Sequence, residues 1–398
     1  MDLKEQIKQL AGEMLPQVIR DRRHLHKNPE LSFHEYQTAS YIQSRLDEMG
    51  ILWKAVTETG VVALIQGEHP SEEVIALRAD MDALPIQEMN SSSYVSENAG
   101  VMHACGHDAH TASLLGTAAI LKKLSRNFGG TVKLIFQPGE EKLPGGASLL
   151  IREGVLENPH PSAVIGQHVM PFIESGNIGI RKGKHMASMD EIFVTVKGKG
   201  GHGAQPHRNI DPVMITAQIL VALQQVVSRM ADPSIPSVLS FGKVIANGAI
   251  NVIPDEVYLE GTFRTLAEGW RYEAHDRMKK IAESIATGLG GSCDFNIVKG
   301  YPVLVNEEKL TEQVTVLAGE YLGKENVIPT EIWMAAEDFS YYSQQRDSCF
   351  YLLGTGNSGK GINASLHSPY FDIDENALSL STGLMAYIAI GRLGNGQR

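Results

Sequence analysis

The chain carries at positions 74–82 the stretch Val74-Ile75-Ala76-Leu77-Arg78-Ala79-Asp80-Met81-Asp82, an apolar run that ends in two carboxylates. Comparable apolar runs, short enough to be strands, lie at 61–65, 132–136 and 163–166. Apolar residues at helical spacing precede or separate these runs, at 35–49 and 110–124. Nearly continuous apolar strands separated by helices predict an α/β fold in which helices flank a mainly parallel sheet.

The middle of the chain follows a different order of predicted elements, β-α-β-β-α-β. Its strands are predicted at 192–196, 238–244, 257–263 and 294–298, and its helices at 212–230 and 270–287. This order is the split, ferredoxin-like pattern of a small α+β domain. We therefore predict a larger α/β domain formed by 1–184 and 300–398, with the small domain inserted at 185–299.

The composition excludes several classes of protein. The 398 residues include 35 basic and 46 acidic side chains, and 43% of the chain is hydrophobic. These values exclude a disordered or collagen-like chain, and an acidic balance without a long basic run disfavours nucleic acid as a partner. No signal-peptide pattern and no uninterrupted apolar run of about 18 residues is present, so we expect no membrane association. Three cysteines, an odd number, suggest free thiols and a cytoplasmic protein.

A segment of nine residues, Met102 to His110, concentrates the chemistry of the chain. It contains a thiol, a carboxylate and three imidazoles, in Cys105, Asp108, His103, His107 and His110. Cysteine and histidine are common metal ligands, and a coordinating thiol is deprotonated by the ion. Two other interpretations remain open here: a catalytic Cys/His pair, or a helix N-terminus that happens to be rich in histidine.

Further candidate ligands follow other predicted strands. Asp80 and Asp82 end the stretch quoted above, Glu140 and Glu141 follow the strand at 132–136, and His168 follows the strand that begins at Ala163. A later loop supplies one more histidine, His367. Open α/β sheets bind their ligands at the carboxyl ends of strands, so the recurrence of these groups favours a metal site. Adjacent residues point in different directions, so one carboxylate of the 140–141 pair can bind metal while the other reaches a water.

The sequence resembles a known family over nearly its whole length, from Arg22 to Glu375. The matching segments are ADMDALP, MHACGHDAH, QPGEE, GQHVMP, GKGGHGAQPH, NVIPDE and SLHSPYFDIDE. They resemble the hippurate hydrolase and N-acyl-amino-acid amidohydrolase branch of the di-metal aminoacylase/carboxypeptidase superfamily. The Cys-Gly-His-Asp segment is specific to this branch, because most other members of the superfamily bridge their metals with aspartate.

The resemblance implies roles for individual residues of this chain. The metal ligands would be Cys105, His107, Glu141, His168 and His367, with Cys105 shared between two ions. Glu140 would be the general base, and Asp82 would orient a ligand, although Asp80 could serve in its place. In the inserted domain, His202 would stabilise the oxyanion, often in the partner subunit, and Asn251 and Arg264 would contact the substrate.

The resemblance also implies an activity. It predicts a metal-dependent amidohydrolase that cleaves N-acetyl, N-benzoyl or similar N-acyl amino acids by attack of a metal-activated water. Two divalent ions per subunit are expected, zinc first, with manganese, nickel or cobalt as alternatives. The inserted domain would act as a lid and as the contact of a homodimer or higher homo-oligomer.

Three alternatives to this activity stay open. The first is a metallo-dipeptidase or carboxypeptidase with the same chemistry. The second is a non-catalytic amino-acid-binding protein on the same scaffold, against which the intact Glu140 argues. The third is thiol catalysis by Cys105, which would survive removal of metal.

Overall fold

A computed structural model of the chain describes residues 2–394, so Met1 and 395–398, the ends of the predicted larger domain, lie outside the described residues. The strands, in chain order, are β1 (Trp53–Val56), β2 (Gly60–Gln66), β3 (His69–Asp80), β4 (Gly129–Gln137), β5 (Ala163–Glu174), β6 (Ile178–Ile180), β7 (Gly183–Met186), β8 (Ser188–Lys197), β9 (Gly201–His202), β10 (Ser237–Ile245), β11 (Val252–Ile253), β12 (Glu256–Thr265), β13 (Ser292–Lys299), β14 (Leu304–Asn306), β15 (Val327–Pro329) and β16 (Asp347–Gly356).

The helices are numbered in the same way. They are α1 (Leu3–Lys27), α2 (Tyr36–Glu48), α3 (His107–Lys123), α4 (Gly146–Arg152), α5 (Pro212–Gln225), α6 (Glu268–Gly288), α7 (Glu308–Leu322), α8 (Ser340–Ser343) and α9 (Ala377–Leu393). A π-helical turn, Val226–Met230, extends α5. Short 3-10 turns lie at Ser125–Asn127, Pro206–Arg208, Lys324–Asn326 and Ser358–Lys360.

The described chain divides into two compact units. The first contains the residues up to His185, Val305–Ile332, and the residues from Asp338 onward. Its sheet has the strand order β1-β2-β4-β3-β5-β16-β6-β15, with parallel pairing of β4 to β3, β3 to β5, β5 to β16 and β6 to β15. Helices α1, α3 and α9 pack against one another, and α3 and α9 also pack on the strands. The predicted α/β class with a mainly parallel sheet is confirmed.

Close helix packing in the first unit depends on a glycine of α3. A Cβ at Gly116 would lie 2.7 Å from Val18 of α1 and 2.8 Å from Thr382 of α9. Because these distances are shorter than van der Waals contact, only glycine lets the three helices approach this closely. This helix begins at His107, inside the histidine-rich segment, so its packing also places that segment on the sheet.

The parallel strands bring the candidate site residues to one edge of the sheet. Asp80, the last residue of β3, pairs with Gln137, the last residue of β4. The strand predicted at 163–166 is longer in the structure, since β5 continues to Glu174 and pairs His168 with Leu352 of β16. His168 still lies beyond Gly166, where the pairing of β5 with β3 ends.

The second unit contains Met186–Leu304 together with Trp333–Glu337. Its antiparallel sheet has the order β10-β12-β8-β13, and α5 and α6 pack against it, as the β-α-β-β-α-β pattern predicts. The sequence-based division places Trp333–Glu337 in the larger domain. In the structure this segment belongs to the second unit, where the Ala187 amide donates to the carbonyls of Trp333 and Ala335. A local pattern cannot record a pairing between segments so far apart in the chain.

The helix Pro212–Met230 has the length and composition of a membrane-spanning helix, although its longest uninterrupted apolar run is far shorter than about 18 residues. In the second unit it is an amphipathic packing helix. Ile215, Ile219 and Leu223 are buried in the core of the unit, whereas Met214 and Val221 are exposed. The residues of its buried face account for part of its apolar composition.

Candidate metal centre

The five side chains predicted as metal ligands meet in the first unit, in two groups that share Cys105. The ligand atoms of Cys105, His107 and His168 lie within 4.8 Å of one another, and so do those of Cys105, Glu141 and His367. Cys105 Sγ is 3.3 Å from His168 Nε2, and Glu141 Oε1 is 3.4 Å from His367 Nε2. Two groups of three donors with one sulfur in common can hold two ions bridged by that sulfur.

The two ligands of the histidine-rich segment are set by the backbone of Gly106. This residue adopts the left-handed conformation, with φ of 82°, directly before α3. A Cβ at Gly106 would lie 2.4 Å from Val169 Cγ2. Any other residue would be strained here and would also collide with β5. Gly106 therefore lets Cys105 and His107, on either side of it, face the residues of β5.

Buried polar atoms without hydrogen-bond partners show that these residues fit a cation. Among residues 2–394, neither His107 Nε2 nor Glu141 Oε1 has a hydrogen-bond partner. Leaving a buried polar atom unpaired typically costs about 1–3 kcal/mol. His168 donates from Nδ1 to the Val169 carbonyl at 2.7 Å, which leaves Nε2 as the atom with a lone pair. Imidazole, thiolate and carboxylate donors of this kind suit zinc and related divalent ions.

The electrostatics of the site also favour a bound cation. Burial, followed by the carboxylates of Glu141 and Glu140, raises the pKa of the Cys105 thiol well above its usual value. Burial alone would lower the pKa of His107, but Asp80 and Asp82 outweigh it and raise that pKa to about 10. A nucleophilic thiolate needs a lowered pKa, so the protein groups around Cys105 do not prepare it for thiol catalysis. A divalent ion would stabilise the thiolate as a ligand.

Asp82 is within hydrogen-bond distance of the predicted ligand His107, whereas Asp80 Oδ1 lies 3.8 Å from His107 Nδ1. Asp82 Oδ1 is 3.1 Å from His107 Nδ1, while its Oδ2 accepts hydrogen bonds from Ser32 Oγ at 2.6 Å and from the Glu141 amide at 2.9 Å. A carboxylate on the second nitrogen of a ligating imidazole fixes its orientation and tautomer. Of the two aspartates that the sequence left open, the hydrogen-bond geometry favours Asp82.

Asp80 and His110 form a separate pair beneath the centre. His110 Nδ1 is 2.5 Å from Asp80 Oδ1, and His110 Nε2 accepts a hydrogen bond from the Val169 amide at 2.8 Å. The second oxygen of Asp80 accepts from Arg78 at 2.5 Å. Both ring nitrogens of His110 are thus used by the protein, which favours a structural role for this residue.

Glu140 is buried beside these groups and is held by a residue that sequence reasoning missed. Its Oε1 accepts a hydrogen bond from the backbone amide of Asp338 at 3.3 Å. The carboxylate of Asp338 accepts from Arg78 at 2.8 Å and from the Gln137 side chain at 2.8 Å. Burial, with a smaller contribution from Asp82, raises the pKa of Asp338 to about 6 despite these donors. No strand pattern precedes Asp338, so position in the sequence offered no signal.

The three remaining predicted residues lie in the second unit. The amide of Gly203, the residue after His202, donates to the Asn251 carbonyl at 2.8 Å, which brings His202 and Asn251 together. His202 is exposed, and its Nδ1 accepts from the Ala204 amide at 3.1 Å, so the proton of a neutral ring lies on Nε2. The structure therefore presents His202 Nε2 as a hydrogen-bond donor.

Arg264 lies elsewhere in the same unit, on β12. Its side chain is half-buried and donates from Nη1 to the Met334 carbonyl at 3.0 Å. Burial lowers the pKa of Arg264, and within residues 2–394 no carboxylate forms an ion pair with it. A half-buried guanidinium without an anionic partner has donors left for a ligand.

Comparison with known proteins gives consistent matches. Residues 76–390 match the family model described as Peptidase family M20/M25/M40. N-acyl-L-amino acid amidohydrolase of Geobacillus stearothermophilus is 45% identical over 307 residues, 77% of this chain and 82% of that protein. Thermostable carboxypeptidase 2 of Saccharolobus solfataricus is 39% identical over 397 residues, 98% of this chain and 99% of that protein. The crystal structure of Bacillus subtilis YXEP protein, a dinuclear metal-binding peptidase, is 35% identical with a TM-score of 0.83, covering 96% of this chain and 99% of that one.

We predict that Cys105→Ser lowers the content of bound divalent metal, because a serine hydroxyl is a poor replacement for a thiolate ligand. Metal analysis of the purified variant checks this. Cys293→Ser, which changes a half-buried thiol in the second unit, is the matched control and should retain the metal of the wild type. Equal metal content in wild type and both variants would remove Cys105 from the ligand set.

Proposed function

Because the chain belongs to peptidase family M20/M25/M40, we propose that it hydrolyses N-acyl amino acids to a carboxylic acid and a free amino acid. Membership makes it a metal-dependent hydrolase of amide bonds; the choice of substrate is the proposal. The observation that supports it most is the buried carboxylate of Glu140 beside two donor groups that share Cys105. The similarity to an N-acyl-L-amino acid amidohydrolase supports the substrate class.

The proposed reaction breaks the amide C–N bond and adds a hydroxyl to the acyl carbon. When bound, two divalent ions would polarise the amide carbonyl and lower the pKa of a water to near 7. We assign to Glu140 the acceptance of the proton from that water and its delivery to the leaving nitrogen. The Asp338 amide on Glu140 Oε1 orients the carboxylate for this transfer. The soft thiolate of Cys105 favours zinc over manganese; nickel and cobalt are alternatives.

His202 is the proposed donor to the developing oxyanion. Its Nε2 carries the proton in the neutral ring, because the Ala204 amide occupies Nδ1. Preorganised donors of this kind act where charge develops during the reaction, and each is typically worth about 10²–10³ in rate.

Substrate recognition is proposed for Arg264, with Asn251 as a neutral hydrogen-bonding partner. The free α-carboxylate distinguishes an N-acyl amino acid from a plain amide. Arginine binds a carboxylate through a planar fork of donors, and the Arg264 guanidinium is desolvated without forming an ion pair in the described chain.

A second candidate function is cleavage of peptides from the carboxyl end. The similarity to thermostable carboxypeptidase 2, which extends over nearly the whole chain, favours it. The chemistry and the recognition of the α-carboxylate would be the same, and only the group on the acyl side would differ. A non-catalytic binding protein is disfavoured, since Glu140 and the predicted ligands are all present and gathered.

We also propose that the second unit joins two copies of this chain. Its helix α5 exposes Met214 and Val221, and they line an open apolar groove together with Leu289. Strand β10 lies at the edge of the sheet and pairs with β12 on one side only among the described residues. An exposed apolar helix beside an unpaired strand edge fits a two-fold contact between identical surfaces. No nucleic acid or membrane is proposed as a partner, and the proposed location is cytoplasmic.

The proposed function is tested with a panel of N-acetyl amino acids, N-benzoyl amino acids and dipeptides, using protein of measured metal content. We expect hydrolysis of the N-acyl amino acids and loss of activity on chelation.

Glu140→Gln should keep the metal and lose about 10²–10⁴ in turnover, because an amide of the same shape cannot accept the proton. Glu141→Gln should lose metal. Full activity after exhaustive chelation would contradict the proposal, and metal loss only in Glu140→Gln would reverse the two roles.

For Arg264→Ala we expect a rise in KM for an N-acetyl amino acid and little change for the matching N-acetyl amino-acid amide. Removing one partner of a desolvated charge pair typically costs about 2–5 kcal/mol of binding free energy, and the fall in kcat/KM for the acid should correspond to a loss of that size. Lys243→Ala, which breaks an exposed ion pair with Glu260 in the same sheet, is the control. Equal losses on the acid and the amide would assign Arg264 to structure.

The proposed contact between copies is tested by the mass of the protein in solution. Val221→Glu places a charge on the exposed face of α5 and should reduce the mass measured by light scattering to that of a single chain. Val316→Glu introduces the same change at an exposed position of α7 in the first unit and should not. Retention of the larger mass in Val221→Glu would exclude this face as the contact.

A further inference from the structure

The segment 30–35, between α1 and α2, contacts the two loops that carry the acidic residues of the centre. Ser32 Oγ donates to Asp82 Oδ2 at 2.6 Å, and the Ala83 amide donates to the Glu30 carbonyl at 2.8 Å. Glu35 is fully buried, although it stands at the start of α2, where a carboxylate is usually exposed. The sequence suggested only a helix start at this position.

The carboxylate of Glu35 does not cap its own helix. Glu30 does so instead, accepting hydrogen bonds from the amides of Gln37 at 3.2 Å and Thr38 at 2.8 Å. Glu35 is therefore available for a different contact. Its Oε1 accepts from the Gly139 amide at 2.8 Å and from the Phe33 amide at 2.9 Å, and its Oε2 accepts from Thr59 Oγ1 at 2.9 Å.

Gly139 immediately precedes Glu140, and the backbone amide of the residue that follows Glu140 is also held. The Glu141 amide donates to Asp82 at 2.9 Å, so Glu140 lies between two anchored backbone donors. The Gly139 carbonyl accepts from the Gly146 amide at 2.9 Å. The position of Glu140 thus depends on Glu35 on one side and on Asp82 on the other.

The backbone of Phe33 is strained where the segment 30–35 contacts the loop that carries Glu140. Phe33 has a φ of 68°, a conformation that is unfavourable for a bulky residue. Its ring covers Gly139, where a Cβ would lie 2.2 Å from the ring. Such strain persists only where the surrounding structure enforces it, and here it is enforced at the loop that carries Glu140.

We infer that Glu35 is a positioning residue for catalysis: through the Gly139 amide it holds the loop on which Glu140 acts as general base. The inference rests on the proposed function, since it concerns the general base of that reaction. Glu35 itself transfers no proton and contacts no predicted ligand. Its contribution is the hydrogen bond that Glu35 Oε1 accepts from the Gly139 amide. A small displacement of that oxygen would break the bond.

The test distinguishes the effect of the length of the Glu35 side chain from the effect of its charge. Glu35→Gln keeps an oxygen at the same distance without the charge, whereas Glu35→Asp keeps the charge but is one methylene shorter. Glutamine is a fair replacement, since burial, with the Asp82 carboxylate, raises the pKa of Glu35 to about 7. We expect Glu35→Asp and Glu35→Ala to lower kcat by about 10–100-fold with KM and metal content unchanged. Glu35→Gln should stay within about threefold of wild type, with the same pH profile.

Thr59→Val is the matched control, because it removes the donor to the other oxygen of Glu35 and leaves the Gly139 contact intact. It should lower the melting temperature without lowering kcat. Hydrogen exchange of the peptide containing Gly139, measured on metal-free protein, adds a readout that does not need activity. Exchange should rise in Glu35→Asp and Glu35→Ala but not in Glu35→Gln or Thr59→Val.

Three outcomes would overturn the inference: wild-type kcat in Glu35→Asp, a large loss of kcat in Glu35→Gln, or the same loss of kcat in Thr59→Val. If Glu35→Ala does not fold, the comparison of Glu35→Gln with Glu35→Asp decides the question. A wild-type protein that hydrolyses none of the N-acyl amino acids or dipeptides would instead contradict the proposed function. In that case, exchange at Gly139 still reports whether Glu35 holds the loop.

Discussion

The carboxylate of Asp82 is the interaction on which the candidate centre depends. One of its oxygens contacts His107, and the other accepts hydrogen bonds from Ser32 and from the Glu141 amide. Three segments that are far apart in the chain are thereby joined through a single side chain. Because Asp82 stands two residues after β3, whose last seven residues are buried, the sheet sets its position. The geometry of the centre is therefore inherited from the packing of the parallel strands.

The second constraint is the balance of charge around that carboxylate. Asp80, Asp82, Glu140 and Asp338 are all buried, and buried carboxylates are stable only when they are paired. Arg78, which is fully buried, contacts Asp80 and Asp338 and neutralises the lower part of the site. Nearer Cys105, His107 Nε2 and Glu141 Oε1 are buried and make no hydrogen bond within residues 2–394. Arg78 therefore compensates the charge of Asp80 and Asp338, whereas the groups near Cys105 suit metal ions.

The two units of the chain contribute different kinds of chemistry. The first unit supplies carboxylate, thiol and imidazole groups on rigid strand ends, which suits metal binding and proton transfer. The second unit supplies neutral and cationic hydrogen-bond donors, in His202, Asn251 and Arg264, on a small antiparallel sheet. In the proposed hydrolysis, the groups of the first unit would activate the attacking water, and those of the second unit would recognise the substrate and the developing negative charge.

The sequence by itself determined the fold class, the family and the residues gathered at the centre. Apolar strands that end in carboxylates, and a Cys-x-His segment before a helix, are local patterns that burial and ligand chemistry impose on the chain. The structure confirms the predicted sheet and the β-α-β-β-α-β order. Only the tertiary structure placed Asp82 within hydrogen-bond distance of His107, revealed Asp338 and Glu35, and carried β5 beyond Gly166. Those features depend on which distant segment packs against a given side chain, and residue spacing along the chain does not record such contacts.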